Sequence, residues 1–128
     1  MTPMDVPAPQ SVTVVTRDDV TVVRVTGDMD LDHVDALRAV LPQVCTGAGA
    51  PARVVIDLAG LAFCDSTGLN ALLQARLMCV ASGRTLALSR PGPQMSRLLS
   101  ITGADTLFEV AEPGELPPDG AEPSAPSP

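Results

Sequence analysis

The sequence predicts a mixed α/β sandwich, a sheet opened by an antiparallel hairpin and continued by parallel strands joined through helices. Three observations predict it. Two β-branched runs, SVTVVT and VTVVRVTG, stand either side of Arg17-Asp18-Asp19. A nearly continuous apolar run, RVVIDL, has strand length and the look of a central strand covered on both faces. The segments between the later strands carry apolar residues at helical spacing, so the order is ββαβαβαβ, which calls for parallel pairs with helical crossovers.

The hairpin follows from the short polar turn between the first two runs, and Gly27 is expected to close the second strand. From Asp32 onward Val34, Leu37, Leu41 and Val44 recur on one helical face, with Asp30 or Asp32 as cap. Pro42 should shorten or kink this helix, and TGAGAPA ends it. Arg53 to Leu58 form the next strand. A second helix follows Asp65-Ser66-Thr67-Gly68, with Leu69, Leu72, Leu73, Leu77 and Val80 as its apolar stripe and Ser82-Gly83 as its stop. Asn70, Gln74 and Met78 lie toward a different face. TLALS is a short strand. PGPQMSRLLSITG is a third helix, with Pro93 in its first turn and Gly103 past its end, and TLFEV is a last short strand.

The chain has 128 residues, enough for one domain. Its apolar content of 45% includes only two aromatic rings, Phe63 and Phe108, so the core is aliphatic. Residues 1–10 read as a flexible N-terminus and residues 111–128 as a disordered acidic Pro-rich tail, leaving 11–110 as the folded body. The net charge of −7 falls partly in that tail, which holds Glu112, Glu115, Asp119 and Glu122 and no Arg. The basic residues are all Arg and form no stripe, which argues against nucleic acid as a partner. Cys45, Cys64 and Cys79 are odd in number without C-x-x-C spacing, so neither a disulfide framework nor a zinc site is expected. With no export signal and no apolar run near the roughly 20 residues of a membrane span, a cytoplasmic monomer is expected.

No catalytic or metal set assembles. Asp28, Asp30 and Asp32 alternate like the start of a calcium loop, but His33 stands where such a loop needs Gly and Ala39 where it needs Glu. His33 is the sole histidine and no nucleophile elbow accompanies it. GAGAPAR completes no phosphate-binding motif and precedes its strand, so no cofactor is implied.

The informative feature is the polar tetrad at a strand-to-helix junction. Asp65 or Ser66 is suited to cap the second helix. A phosphate on Ser66 would meet free first-turn N–H groups and the positive end of the helix dipole, so the fold would tolerate it. The added charge would then alter a surface bearing Asn70, Gln74 and Asp30.

The opening hairpin, Gly27-Asp28-Met29-Asp30, VVIDLAGLAFCDSTGL and PGPQMSRLLSITGADTLFEV together resemble the STAS domain of bacterial anti-sigma factor antagonists, over about residues 11–110. The resemblance implies a STAS-like mixed β-sheet with helices packed on it, and a regulator that is not an enzyme. It implies that the unphosphorylated protein binds an anti-sigma factor of the ATP-binding serine kinase type and so frees a sigma factor. Ser66 takes the place of the phosphoacceptor, with Thr67 as the secondary hydroxyl, and a PP2C-type phosphatase reverses the modification. Asp30 matches the last position of a G-E-L-D-like segment tied to partner recognition, read here as G-D-M-D. Asp65, Ser66, Thr67, Gly68, Asn70 and Gln74 complete the expected partner surface. The same fold also occurs as a constitutive subunit or a small-ligand or nucleotide sensor in transport and stress-signalling complexes, which is the alternative reading.

Overall fold

A computed structural model describes residues 11–17 and 19–111; the expected flexible N-terminus at 1–10 and the expected tail beyond Ala111 lie outside the described residues. Five strands form one sheet in the order β1 (Ser11–Thr16), β2 (Val20–Met29), β3 (Arg53–Cys64), β4 (Thr85–Ser89) and β5 (Glu109–Val110). The first pair is antiparallel and the rest are parallel. Helices α1 (Asp35–Thr46), α2 (Ser66–Ala81) and α3 (Pro93–Thr102) connect the parallel strands. A single 3-10 turn, Ala104–Thr106, occupies part of the segment expected to be the last strand, so β5 is only two residues long. Arg53 holds it in place through a two-pronged ion pair with Glu109, at 2.8 and 2.7 Å.

Strand alternation sorts the core into two faces. Val23 and Val25 of β2, Val54, Ile56 and Leu58 of β3, and Leu86 and Leu88 of β4 meet the helices. The intervening Val22, Val55 and Ala87 form a smaller apolar cluster on the other face, with Val15, Val20 and Ala111. Both faces of β3 are thus covered along its first half, as its apolar run predicts.

Several boundaries differ from the sequence reading, each for a local reason. Gly27 does not close β2: it sits inside the strand at φ 80°, between two irregularities of the β2–β3 register, and pairing resumes to Met29. That continued pairing also extends β3 through Ala59-Gly60-Leu61-Ala62 to Cys64. Helix α1 starts at Asp35, later than expected, and Val34 at its start supplies no side-chain cap. Asp30 and Asp32 are therefore not its caps. The helix also runs through Pro42 to Thr46, whose hydroxyl donates to the Pro42 carbonyl at 2.6 Å.

The largest correction concerns α2. Leu69 and Leu72 are buried, but Leu77 and Val80 are 55% and 60% exposed. The face turned inward is built from Gly68, Ala71, Ala75 and Cys79 with Leu69 and Leu72. Small side chains let α2 approach α1 and the sheet closely, and a helix apolar on every side gives no stripe from which that face can be read.

Candidate functional site

The tetrad lies where β3 ends and α2 begins, and backbone contacts fix it from two sides. Gln94, in the first turn of α3, clamps the strand end: its Oε1 accepts from Cys64 N–H at 3.0 Å and its Nε2 donates to the Cys64 carbonyl at 2.8 Å. Asp65 N–H reaches the Met29 carbonyl at 3.4 Å, tying the junction to the end of β2. Gly68 then passes so close to β2 that an added Cβ would collide with the Met29 carbonyl oxygen and lie 2.8 Å from Cys64 Sγ.

Asp65 is the N-cap of α2, in an extended conformation. Its Oδ1 accepts from Thr67 N–H at 2.8 Å and Gly68 N–H at 3.2 Å, while its carbonyl accepts from Leu69 N–H at 3.0 Å. The expectation of free N–H groups awaiting a phosphate is therefore corrected: the cap carboxylate already takes the donors of Thr67 and Gly68. What remains for a charge on Ser66 is the helix dipole and open solvent, because Ser66 is the first helical residue and is exposed. Thr67 is half-buried beside it and Gly68 is buried. Burial and the adjoining Asp65 carboxylate push the Cys64 thiol up to about 12, so it stays neutral.

Asp30 stands at the end of β2 close to this junction. Its Oδ1 lies 2.6 Å from His33 Nδ1, and that hydrogen bond holds the carboxyl below its ordinary 3.8. Asp28 joins them, so one ligating atom from each of the three lies within 4.8 Å of the others. Expected partner residues Asn70 and Gln74 follow Ser66 at four-residue steps along α2 and are exposed. With Met78, Ala71 and, from α1, Arg38, Leu41 and Pro42, they line a groove of about 240 Å³ between the two helices.

The sequence reading missed an apolar rim. Leu31, next to Asp30, and Phe63, two residues before Asp65, are 70% and 43% exposed. Leu77 and Val80 continue the outer face of α2. The signal available was Phe63 itself, one of two aromatic rings in the chain, placed beside the polar tetrad. Ser66 thus starts a helix at a junction whose neighbouring segments expose Leu31 and Phe63, while Leu77 and Val80 lie several turns further along α2. No nucleophile, base and orienting group come together in this arrangement.

This geometry is a five-stranded mixed sheet with a capped helix that presents an exposed serine, and comparison with known proteins gives the family. Residues 12–110 match the family model described as "Mlab, STAS domain". An anti-sigma F factor antagonist of Lysinibacillus sphaericus is 32% identical over 90 residues, which cover 70% of this chain and 74% of that protein. The crystal structure of an anti-sigma factor antagonist from Mycobacterium paratuberculosis superposes with a TM-score of 0.71 at 28% identity, over 84% of this chain and 89% of that one. SpoIIAA, described as a Bacillus cell fate determinant and solved in phosphorylated form, gives a TM-score of 0.61 at 24% identity, over 83% and 94%. The protein belongs to the STAS-domain anti-sigma factor antagonist family, whose members are regulators rather than enzymes. Among the described residues no helix is long and apolar enough to cross a membrane.

Proposed function

We propose that this protein is a cytoplasmic partner switch. In its unphosphorylated form it binds an anti-sigma factor of the ATP-binding serine kinase type, so that a sigma factor is released. The kinase phosphorylates Ser66, binding is lost, and a PP2C-type phosphatase restores the active form. The folded unit at 11–110 acts as a monomer before it meets its partner.

The observation that carries this reading is the position of Ser66: exposed at the first turn of α2, in a junction held by Asp65, Gln94 and Gly68, whose flanking strand ends carry the exposed Leu31 and Phe63. Exposed apolar side chains at the strand ends that flank an exposed hydroxyl suit a protein interface, since exposed apolar surface marks binding sites. A phosphate there adds about −1.5 to −2 charge units beside the Asp65 and Asp30 carboxylates. The surface that contacted apolar and polar groups of the partner then carries a dense anionic spot, and closing the interface would require burying it. The names of the relatives support the partner class, and the phosphorylated form of SpoIIAA supports a family member carrying phosphate.

The test is intact mass spectrometry after incubation with MgATP and the cognate anti-sigma kinase. Wild type should gain one phosphate and Ser66→Ala none. An undiminished gain in Ser66→Ala would remove Ser66 from this role, and a gain lost only in Thr67→Ala would transfer it to the neighbour.

A further inference from the structure

The three helices pack on one face of the sheet, yet the other face is buried too. Val15 of β1, Val20 and Val22 of β2, Val55 of β3, Ala87 of β4 and Ala111 form an apolar cluster there, to which no helix among the described residues contributes a side chain. Strand pairing makes the cluster continuous, since Val15 stands beside Val22, Val22 beside Val55 and Val55 beside Ala87. Further along the strands the same face turns polar, where Asp57 accepts from Arg24 Nε at 3.3 Å and from Arg90 Nη2 at 2.8 Å.

The depth of this burial calls for a cover. Val22 and Val55 are 0% exposed, and Val15 is 1% exposed although β1 is an edge strand. Its neighbour Val14 points to the helix side and is 36% exposed, so a place on β1 does not by itself exclude water. Strand side chains stand roughly perpendicular to their sheet, and on a bare face these valines would meet solvent.

We infer that the segment following Ala111 is the cover of this face, with Leu116 seated on Val22 and Val55. The chain leaves the sheet at the right place: Ala111 belongs to the cluster, is 5% exposed, and donates its N–H to the Leu88 carbonyl at 2.8 Å. The reach suffices. Strands lie about 4.8 Å apart, so β3 is about 10 Å sideways from β5. The five residues from 112 to 116 span at most about 17 Å, which leaves slack for the turn that Pro113-Gly114 favours. The composition also fits. Leu116 is the one Leu, Ile, Val, Met or Phe in residues 112–128, and Pro113, Pro117 and Pro118 beside it have no N–H to leave unpaired on a sheet face. Residues 1–10 join the sheet elsewhere, at Ser11, which pairs with Thr26 on the far side of Arg24 from Val22. A strap over these valines keeps the sheet from offering an apolar patch to other chains. It lies across the sheet from the α1–α2 groove, so the inference stands apart from the Ser66 switch.

The test is methyl NOE spectroscopy of the full chain, labelled at its Leu, Val, Ile and Met methyls. Direct cross-peaks should run from Leu116 to Val22 and Val55. Leu116→Asp should erase them and shift the methyl resonances of Val15, Val22 and Val55 more than those of Val23, Val54 and Ile56 on the helix side. A mixture of labelled and unlabelled chains separates the sources of any contact. Leu116 cross-peaks found between chains rather than within one would make a second copy the cover, and cross-peaks from Met4 or Val6 in place of Leu116 would assign it to residues 1–10. Either result, or no cross-peak from Leu116 to the two valines, would overturn the inference.

Discussion

Gly68 passes against Met29 so closely that its lack of a side chain sets the distance between α2 and the end of β2: an added Cβ would strike the Met29 carbonyl oxygen and approach Met29 Cβ to 3.0 Å. The tetrad's glycine is thus a packing requirement of the Ser66 junction. Gly68→Ala should destabilise the domain by about 1 to 3 kcal/mol, as overpacking does, despite the better helix propensity of alanine. Urea unfolding of the two proteins measures this, and an equally stable or more stable variant would mean the junction is looser than described.

Asp65 serves the fold as well as the site. Asp65→Ala removes the acceptor of two first-turn N–H groups and should cost about 1 kcal/mol, whereas Asp65→Asn keeps an acceptor oxygen and should cost less. Thermal unfolding of both variants checks the order. If the two lost equal stability, the charge of Asp65 rather than its cap bonds would be the stabilising element.

The core that α2 shares with β3 and the outer face of α2 should answer differently to truncation. Leu72→Ala and Ile56→Ala delete side chains that are 2% and 0% exposed and should cost roughly 2 to 5 kcal/mol. Leu77→Ala and Val80→Ala should stay within about 0.5 kcal/mol and instead weaken partner binding. Urea midpoints of the four variants separate these cases, and a large loss for Leu77→Ala would restore it to the core.

That contrast shows where the sequence is legible and where it is not. Val34, Leu37, Leu41 and Val44 were readable because these large apolar side chains share one stripe, with Asp35, Arg38 and Gln43 off it. In α2 leucine, alanine, methionine and valine surround the axis, and the buried side was chosen by how closely Gly68, Ala71 and Ala75 let the helix pack. The far end of β3 was hidden because Ala59 to Ala62 have little strand propensity, and their conformation depends on pairing with a β2 bent by its own irregularities. The tetrad's place at a helix start and the capping suitability of Asp65 were visible, since caps are local chemistry. The Leu31–Phe63 rim and the Arg24–Asp57–Arg90 cluster were not, because residues as far apart as 33 positions meet only through sheet register.

Asp30 gives a pH test. Its hydrogen bond with His33 lowers the folded carboxyl below 3.8, so the stability it contributes is present above that value and lost as pH falls through the folded value. Wild type should therefore exceed Asp30→Asn in stability at neutral pH, and the gap should close as pH falls below the ordinary carboxylate range and through the lowered folded value. Urea unfolding across this range measures it. A gap that widened on acidification would contradict the pairing.

The central claim is that charge at Ser66 governs partner binding without unfolding the domain. The most direct measurement is the affinity of the cognate anti-sigma factor for wild type, for the protein phosphorylated by that factor, and for Ser66→Asp, each with its unfolding curve. The account predicts tight binding by the unmodified chain, loss of at least about tenfold in both charged forms, and stability within about 1 kcal/mol of wild type in each, because the helix dipole offsets part of the added charge. Equal affinity in all three, or binding lost only together with the fold, would contradict it.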